Sequence, residues 1–278
     1  MFLVTRKLVV DSLNCGWRIN EEQYLDGFFG MITEGKQRIG KSSYNCQSLA
    51  EAHGKWEYME DEDKVTHAKC TKPNYEEVKN WVVFPPKDFI SLVLRIPIGE
   101  KEKAVYWSDS GFWLFALDWY QPFVKAVAKY IQLCGRQFAA VLLSTPNKKL
   151  ISGKVLESIP EIFVCRVIKG GHDTQRFRPR IAKVYERWDY PDGKRGGVRT
   201  RWKDNFNAIL PDDFFEWYKP QSDHYLQIGK DILRKEIEAM QKKLGKKEKE
   251  DMMEGVHKVV GEPERLKEIE EVLRIYET

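Results

Sequence analysis

Short apolar runs recur along this chain at intervals long enough to hold a helix. They are Gly27-Phe28-Phe29-Gly30-Met31-Ile32-Thr33, Trp81-Val82-Val83-Phe84, Ala104-Val105-Tyr106-Trp107, Phe138 to Thr145 and Ile162 to Ile168. Runs of this length, bounded by polar or turn residues, read as buried strands, although 81–84 also fits the end of a helix. Between them, 44–55 follows a glycine-rich turn and is helix-compatible, and 112–133 is long and apolar, with Pro122 marking a boundary. Pro85-Pro86 breaks what precedes it, and Asp88 is placed to cap a helix through 89–94. Buried strands alternating with helices predict an α/β fold, a mostly parallel sheet with helices on both faces. Residues 1–26 read as an irregular or partly helical lead-in, and 57–73 as charged surface.

The pattern changes after 175. Residues 180–188 and 198–202 alternate around the turn Pro191-Asp192-Gly193-Lys194, predicting a β-hairpin. Residues 212–225 are aromatic-rich, and 228–247 and 264–276 are charged, amphipathic helices. The expected organisation is a lead-in (1–26), a core (27–175), and a basic hairpin with a charged helical C-terminal region (176–278).

Composition narrows this picture. With 278 residues the chain can bury a large core, and 9 Trp, 12 Tyr and 14 Phe exclude wholesale disorder. No apolar run reaches the roughly 18 residues of a membrane span, and the N-terminus is too short and charged for a signal peptide. Five scattered cysteines form no C-x-x-C pair, which argues against a disulfide framework or zinc site and for a reducing cytoplasm. The histidines have no metal-ligand spacing, and no Gly-x-Ser-x-Gly nucleophile motif occurs. The net charge of +4 hides an uneven distribution: residues 165–203 hold 12 Lys/Arg against 4 Asp/Glu. Such a concentration points to an anionic partner.

The chemistry-bearing motif is Gly35-Lys36-Gln37-Arg38-Ile39-Gly40-Lys41-Ser42, followed by Ser43, which fits G-x-x-x-x-G-K-[ST]. Its glycines let backbone N–H groups curl around an oxyanion, and the following helix aims its positive end at phosphates. Lys41 is expected to neutralise the β- and γ-phosphates and Ser42 to ligate Mg2+. An acid at the tip of another strand completes such a site, and Asp109 after Ala104–Ser108 supplies it, although Asp109 also suits a helix cap. Thr145 and Asn147, beyond the 138–145 strand, read either as γ-phosphate sensors or as a turn. Asn147-Lys148-Lys149-Leu150 lacks the Asp of the Asn-Lys-x-Asp guanine signature, which disfavours GTP. Arg136 reads as a solvated residue or as an arginine finger for a neighbouring subunit's nucleotide.

On the motif at 35–42, the segment 104–109 and the polar-tipped strand 138–147, the chain resembles P-loop ATPases of the RecA-like and AAA-like division. Small ATPases of archaeal viruses and plasmids look similar in layout, including the aromatic helix after the acidic strand. The resemblance spans about residues 27–170 and implies a P-loop NTPase core, ATP and Mg2+ as cofactors, and hydrolysis coupled to replication, translocation or packaging of nucleic acid. In the reading of an ATPase motor or switch acting on nucleic acid, subunits are expected to assemble so that a neighbour completes the site. One departure stands out: the division usually carries two adjacent acids where this chain has Ser108-Asp109-Ser110. Either Asp109 serves the metal and Ser110 replaces the catalytic acid, or Ser108 replaces the metal residue and Asp109 is the base. Both registers predict slow hydrolysis, because a hydroxyl is a poor base at neutral pH, and leave Glu34 and Asp118 as substitutes. A nucleotide-binding switch with little turnover is therefore the alternative.

In the hairpin region, Arg176, Arg178, Arg180, Lys183, Arg187, Lys194, Arg195, Arg199, Arg201 and Lys203 are interleaved with Tyr185, Trp188, Tyr190 and Trp202. Cations for phosphate and rings for base stacking predict contact with nucleic acid, DNA favoured. The competing reading is a solvated edge hairpin whose charges prevent aggregation.

Overall fold

Five of the apolar runs pair as parallel strands in one sheet. A computed structural model describes residues 8–118, 120–187 and 196–243. Its strands are β1 (Leu8–Val10), β2 (Phe29–Glu34), β3 (Lys55–Glu60), β4 (Thr66–Lys72), β5 (Val82–Val83), β6 (Glu102–Trp107), β7 (Phe138–Thr145), β8 (Ile162–Lys169), β9 (Pro179–Arg187) and β10 (Val198–Asn207). Its helices are α1 (Asn14–Tyr24), α2 (Lys41–Ala52), α3 (Tyr75–Val78), α4 (Pro86–Arg95), α5 (Ser110–Trp113), α6 (Pro122–Cys134), α7 (Gly153–Glu157) and α8 (Asp212–Lys243). The expected turn 191–194 with Lys194 and Arg195, and the expected helix 264–276, lie outside the described residues, as does the side chain of Arg187.

The main sheet runs β10-β9-β8-β2-β7-β6-β5, parallel from β8 to β5 and antiparallel over β9 and β10. This is the predicted α/β architecture, a central, mostly parallel sheet flanked by helices. Every residue of β2 and β7 is buried, as expected of strands covered on both faces. On one face α1 packs on α2, and α1 meets β6 and β7. Contacts there include Cys15 Sγ with Met31 Sδ at 3.9 Å and Thr33 Oγ1 donating to Asn45 Oδ1 at 2.7 Å. On the other face Gly30 admits Ile159: a Cβ at Gly30 would lie 2.6 Å from Ile159 Cγ2, so the close approach requires glycine.

Several local expectations change. The charged segment 57–73 folds as the hairpin β3–β4, which with β1 forms a second sheet of order β1-β4-β3. Only Ala68 and Cys70 of β4 are buried, so a one-sided, mostly charged hairpin hid behind its polarity. The run 112–133 splits into α5, a 3-10 turn (Ala116–Asp118) and α6, with Pro122 opening α6. Asp88 does not cap α4; it lies in the first turn behind Pro85 and Pro86. All five cysteines are free and buried.

The chain forms two compact units, Met1–Lys219 and Pro220–Thr278. The sequence reading places a division at 175/176, within the first of these units. β9 pairs with β8 across seven positions, which makes the hairpin an extension of the core sheet rather than a separate region. The described part of the second unit is residues 220–243 of α8. Among the described residues no helix is long and apolar enough to cross a membrane.

Candidate functional site

The motif falls between the C-terminal end of β2 and the start of α2, the strand–loop–helix setting its chemistry requires. Gly35 (φ 150°), Arg38 (φ 57°) and Gly40 (φ 106°) all have positive φ, and Gly40 is the residue from which α2 begins. Left-handed turns of this kind curl the chain around a centre. That centre holds the Lys41 ammonium, which donates to the carbonyls of Gly35 and Lys36 at 3.0 Å each. The first four N–H groups of α2 have no intrahelical acceptor and face the loop's end of the helix. Burial lowers the affinity of Lys41 for its proton, and Asp109 works against that shift.

The loop is braced from the hairpin. Arg180, only 4% exposed, donates from Nε to the Ile39 carbonyl at 2.8 Å and pairs with Asp173. Ser43 Oγ donates to the Ala208 carbonyl at 2.7 Å and Gln47 Nε2 to the Asn207 carbonyl at 2.6 Å. Buried Asp204 accepts from the Tyr44 hydroxyl at 2.6 Å and from the Asn14 side chain at 2.7 Å, tying β10 to α1 and α2. Arg180 is therefore corrected from a nucleic-acid contact to an internal brace, and the Ser43 side chain serves that brace as well.

β7 lies between β2 and β6, so the tips of all three strands come together beside the loop. Asp109 turns off β6 in a left-handed conformation (φ 49°), and its N–H is held by Ser144 Oγ at 3.0 Å. Burial raises its carboxyl pKa, and the nearby Lys41 charge opposes that rise. The neighbouring Ser108 is buried and bonds the Tyr218 hydroxyl at 3.0 Å. The network continues from Ser108 to Tyr106 at 3.4 Å and from Tyr106 to Ser144 at 3.1 Å. Asp109 thus stands near the Lys41 charge, and Ser108 lies inside a hydroxyl network with Tyr218 and Tyr106.

Mg2+ takes hard oxygen ligands, carboxylates above all, and gives up its waters reluctantly. Here the oxygens at the two expected metal positions are the Ser42 hydroxyl, in the first turn of α2, and the Asp109 carboxylate, just after β6. Among the described residues no group of three or more His, Cys, Asp or Glu is placed to hold a metal. One hydroxyl and one carboxylate suit an Mg2+ ion that keeps most of its waters, and Ser42 and Asp109 are the residues that would hold it.

Other expected roles also change. Thr145 is fully buried and its hydroxyl donates to the Asn147 carbonyl at 3.0 Å, so it is not a free sensor. Asn147 accepts from the Lys149 N–H at 3.0 Å and is exposed at the rim of the site. Glu34 accepts from Arg166 at 2.8 Å and from the Lys148 N–H at 3.2 Å, which removes it as a stand-in base. Asp118 lies in the half-exposed 3-10 turn. Arg136 is exposed and precedes β7, whereas the loop lies at that strand's far end, about 25 Å away over eight residues. It cannot reach its own chain's loop.

On the hairpin, Arg199 and Arg201 both bond Glu186, at 2.8 and 3.2 Å. An irregularity at Arg201 breaks the alternation expected there. Arg176, Arg178 and Lys203 are exposed and Lys183 is half-buried. The strand register brings together a row the sequence did not reveal: Arg166 lies opposite Lys183, and Lys183 opposite Lys203. Tyr218 was missed too; its one signal was its place in the aromatic segment 212–225.

No protein-family model matches the chain, and no curated protein matches it in sequence. Solved structures similar to it include the N-terminal domain of zonular occludens toxin from Neisseria meningitidis, at 8% identity and TM-score 0.30, covering 68% of this chain and 98% of that one. A KaiC-like protein from the archaeon Pyrococcus horikoshii OT3 is similar at 12% identity and TM-score 0.22, over 71% of this chain and 90% of that one.

Proposed function

We propose that this chain binds ATP at loop 35–43 and works with nucleic acid as a nucleotide-dependent switch with slow turnover. One observation carries the reading. The loop wraps its own lysine, with Lys41 Nζ 3.0 Å from two loop carbonyls, at the N-terminus of a 12-residue helix. A polyphosphate entering this cradle exchanges those carbonyls for its own oxygens on the same ammonium and meets the free amides of α2. The place of β7 between loop strand and acid strand supports the narrower likeness to the RecA-like and AAA-like division. Slow turnover follows from Ser108 and from the single carboxylate, Asp109, because efficient hydrolysis needs a base held on the attacking water.

Nucleic acid is the partner favoured by the row Arg166–Lys183–Lys203. Like charges set directly opposite on neighbouring strands destabilise a sheet, and Glu34 pairs with Arg166 alone. A phosphate backbone laid across β8, β9 and β10 relieves that repulsion. Among the described residues, the internal roles of Arg180 and Glu186 leave Arg176, Arg178, Lys183 and Lys203 as the hairpin's contacts.

The test is equilibrium binding of ATP and of DNA, each with and without the other, together with phosphate release. The expected result is ATP binding that is lost in Lys41→Ala, DNA affinity that changes with ATP, and phosphate release near background. Absence of ATP binding refutes the reading, and rapid DNA-stimulated release that Lys41→Ala abolishes favours a motor instead.

A further inference from the structure

A cleft of about 700 Å3 opens between the segment that follows β7 and the end of β8. Lys36, Lys148, Lys149, Arg166 and Lys169 line it, with Glu34 as its acid. Lys41, Ser42 and Asp109 lie outside the lining, so these cations are placed for an anion other than one held in loop 35–43. Arg166 pairs with Glu34, and Lys169 with Asp173 at 3.7 Å. Lys36, Lys148 and Lys149 are exposed and have no ion-pair partner among the described residues.

Strand register sets Glu34 opposite Arg166, Arg166 opposite Lys183 and Lys183 opposite Lys203. Residues directly opposite one another share a face of the sheet. The cleft is therefore the inner end of the cationic row on the hairpin, with Arg166 common to both. Its lining carries cations but no aromatic ring, which suits a backbone phosphate rather than a stacked base.

Glu34 joins this cleft to the loop. It directly precedes Gly35 and is only 7% exposed. Arg166 donates to its Oε1 from Nη2 at 2.8 Å and from Nε at 3.2 Å, and the Lys148 N–H donates to its Oε2 at 3.2 Å. The Gly35 N–H donates to the Pro146 carbonyl at 3.3 Å, so the wall at 146–148 is bonded to the start of the loop. A phosphate in the cleft competes with Glu34 for the Arg166 guanidinium and leaves a buried carboxylate without its cation. That charge then opposes a triphosphate in the adjoining loop, and by linkage each ligand weakens the other by the same factor.

Resting on the readings of loop 35–43 as a nucleotide site and of the hairpin as a nucleic-acid surface, we infer that the cleft seats a phosphate of a single nucleic-acid strand. Glu34, by giving up Arg166 to that phosphate, is the positioning residue through which strand and nucleotide oppose each other.

Titrations of oligodeoxythymidylate and of ATP into the full chain, each with and without the other, test this. Saturating oligonucleotide is expected to weaken ATP binding about fivefold; no change, or a gain, overturns the opposition. Lys148→Ala with Lys149→Ala weakens the oligonucleotide about tenfold and lowers its slope of log affinity on log salt by about 1.4, while ATP alone stays within about threefold. Unchanged oligonucleotide binding in this variant, or equal loss of both ligands, overturns the seat but leaves the nucleic-acid reading standing. Glu34→Gln keeps an acceptor for the Lys148 N–H, and it binds both ligands without mutual weakening. Arg166→Gln, at a side chain 61% exposed, also loses the coupling, but its ATP binding is about fivefold weaker already without the strand. Coupling that persists in these variants overturns the part given to Glu34. A wild-type chain that binds no oligonucleotide overturns the nucleic-acid reading and the inference together, and one that binds no ATP overturns the nucleotide reading and with it the coupling.

Discussion

Replacing Arg180 by methionine keeps an unbranched stem and removes the guanidinium that joins hairpin to loop. The stem matters because Arg180 Cγ lies 3.6 Å from where a Cβ on Gly40 would be. The deleted hydrogen bond, from Nε to the Ile39 carbonyl at 2.8 Å, is charge-assisted, and such bonds contribute about 1.5–3 kcal/mol. At 4% exposure water cannot replace the donor, so the cost falls in the upper half of that range, about 2–3 kcal/mol. Asp173 is one-third exposed and is rehydrated when its partner goes. Urea unfolding of Arg180→Met beside Arg199→Met makes the comparison. Arg199 pairs with Glu186 at 2.8 Å but is 55% exposed, so its loss costs at most about 1 kcal/mol. Freeing the Ile39–Gly40 peptide also loosens the cradle, and the expected loss of ATP affinity is about tenfold. Equal destabilisation by the two variants, or unchanged ATP affinity in Arg180→Met, would refute the argument that the hairpin holds the loop in shape.

Glu51 gives a pH test. Burial pushes its carboxyl up to about 7, against the hydrogen bond from the Leu13 N–H at 2.7 Å. Because the folded value lies above the unfolded one, the stability it contributes is complete below about pH 4 and is lost as pH rises through about 7. Glu51→Gln should therefore flatten the fall in stability seen by denaturation between about pH 5 and about pH 8, and stabilise at the upper end by up to ~3 kcal/mol; a parallel pH profile would count against it. Gly30→Ala should cost ~1–3 kcal/mol by overpacking against Ile159, with Ile159→Ala offsetting part of that cost; strict additivity in the double variant excludes the contact as the cause. Lys203→Glu, opposite Lys183, should raise the unfolding free energy by ~0.5 kcal/mol while weakening DNA binding, and gain of both properties or loss of both speaks against the cationic row.

The buried half of the fold was the legible half. β2 and β7 are buried at every residue, which leaves their apolar runs no alternative, and the glycines at 35 and 40 marked a turn that the backbone confirms with positive φ. The hairpin β3–β4 was hidden because one exposed face dilutes its alternation with Lys and Glu. At the site, the loop and its lysine could be read from spacing, since they are neighbours in the chain. Tyr218, Arg180 and Asp204 could not, because their partners lie more than a hundred residues away: 110 from Ser108 to Tyr218, 141 from Ile39 to Arg180, and 160 from Tyr44 to Asp204. The row Arg166–Lys183–Lys203 exists only through strand register, which periodicity alone does not fix.

The brace from residues 180–208 onto α2 bears on how the molecule is made. A ribosome that has released only the first half of the chain has released the whole glycine loop and its helix, but none of the groups that hold them: Arg180, Asn207 and Ala208 are still to be synthesised. Contacts so distant in sequence form late, after the entropy of closing a long loop has been overcome. The loop therefore gains its braces only after residues 180–208 have been made, and a premature stop before residue 180 yields a product that carries the motif without them.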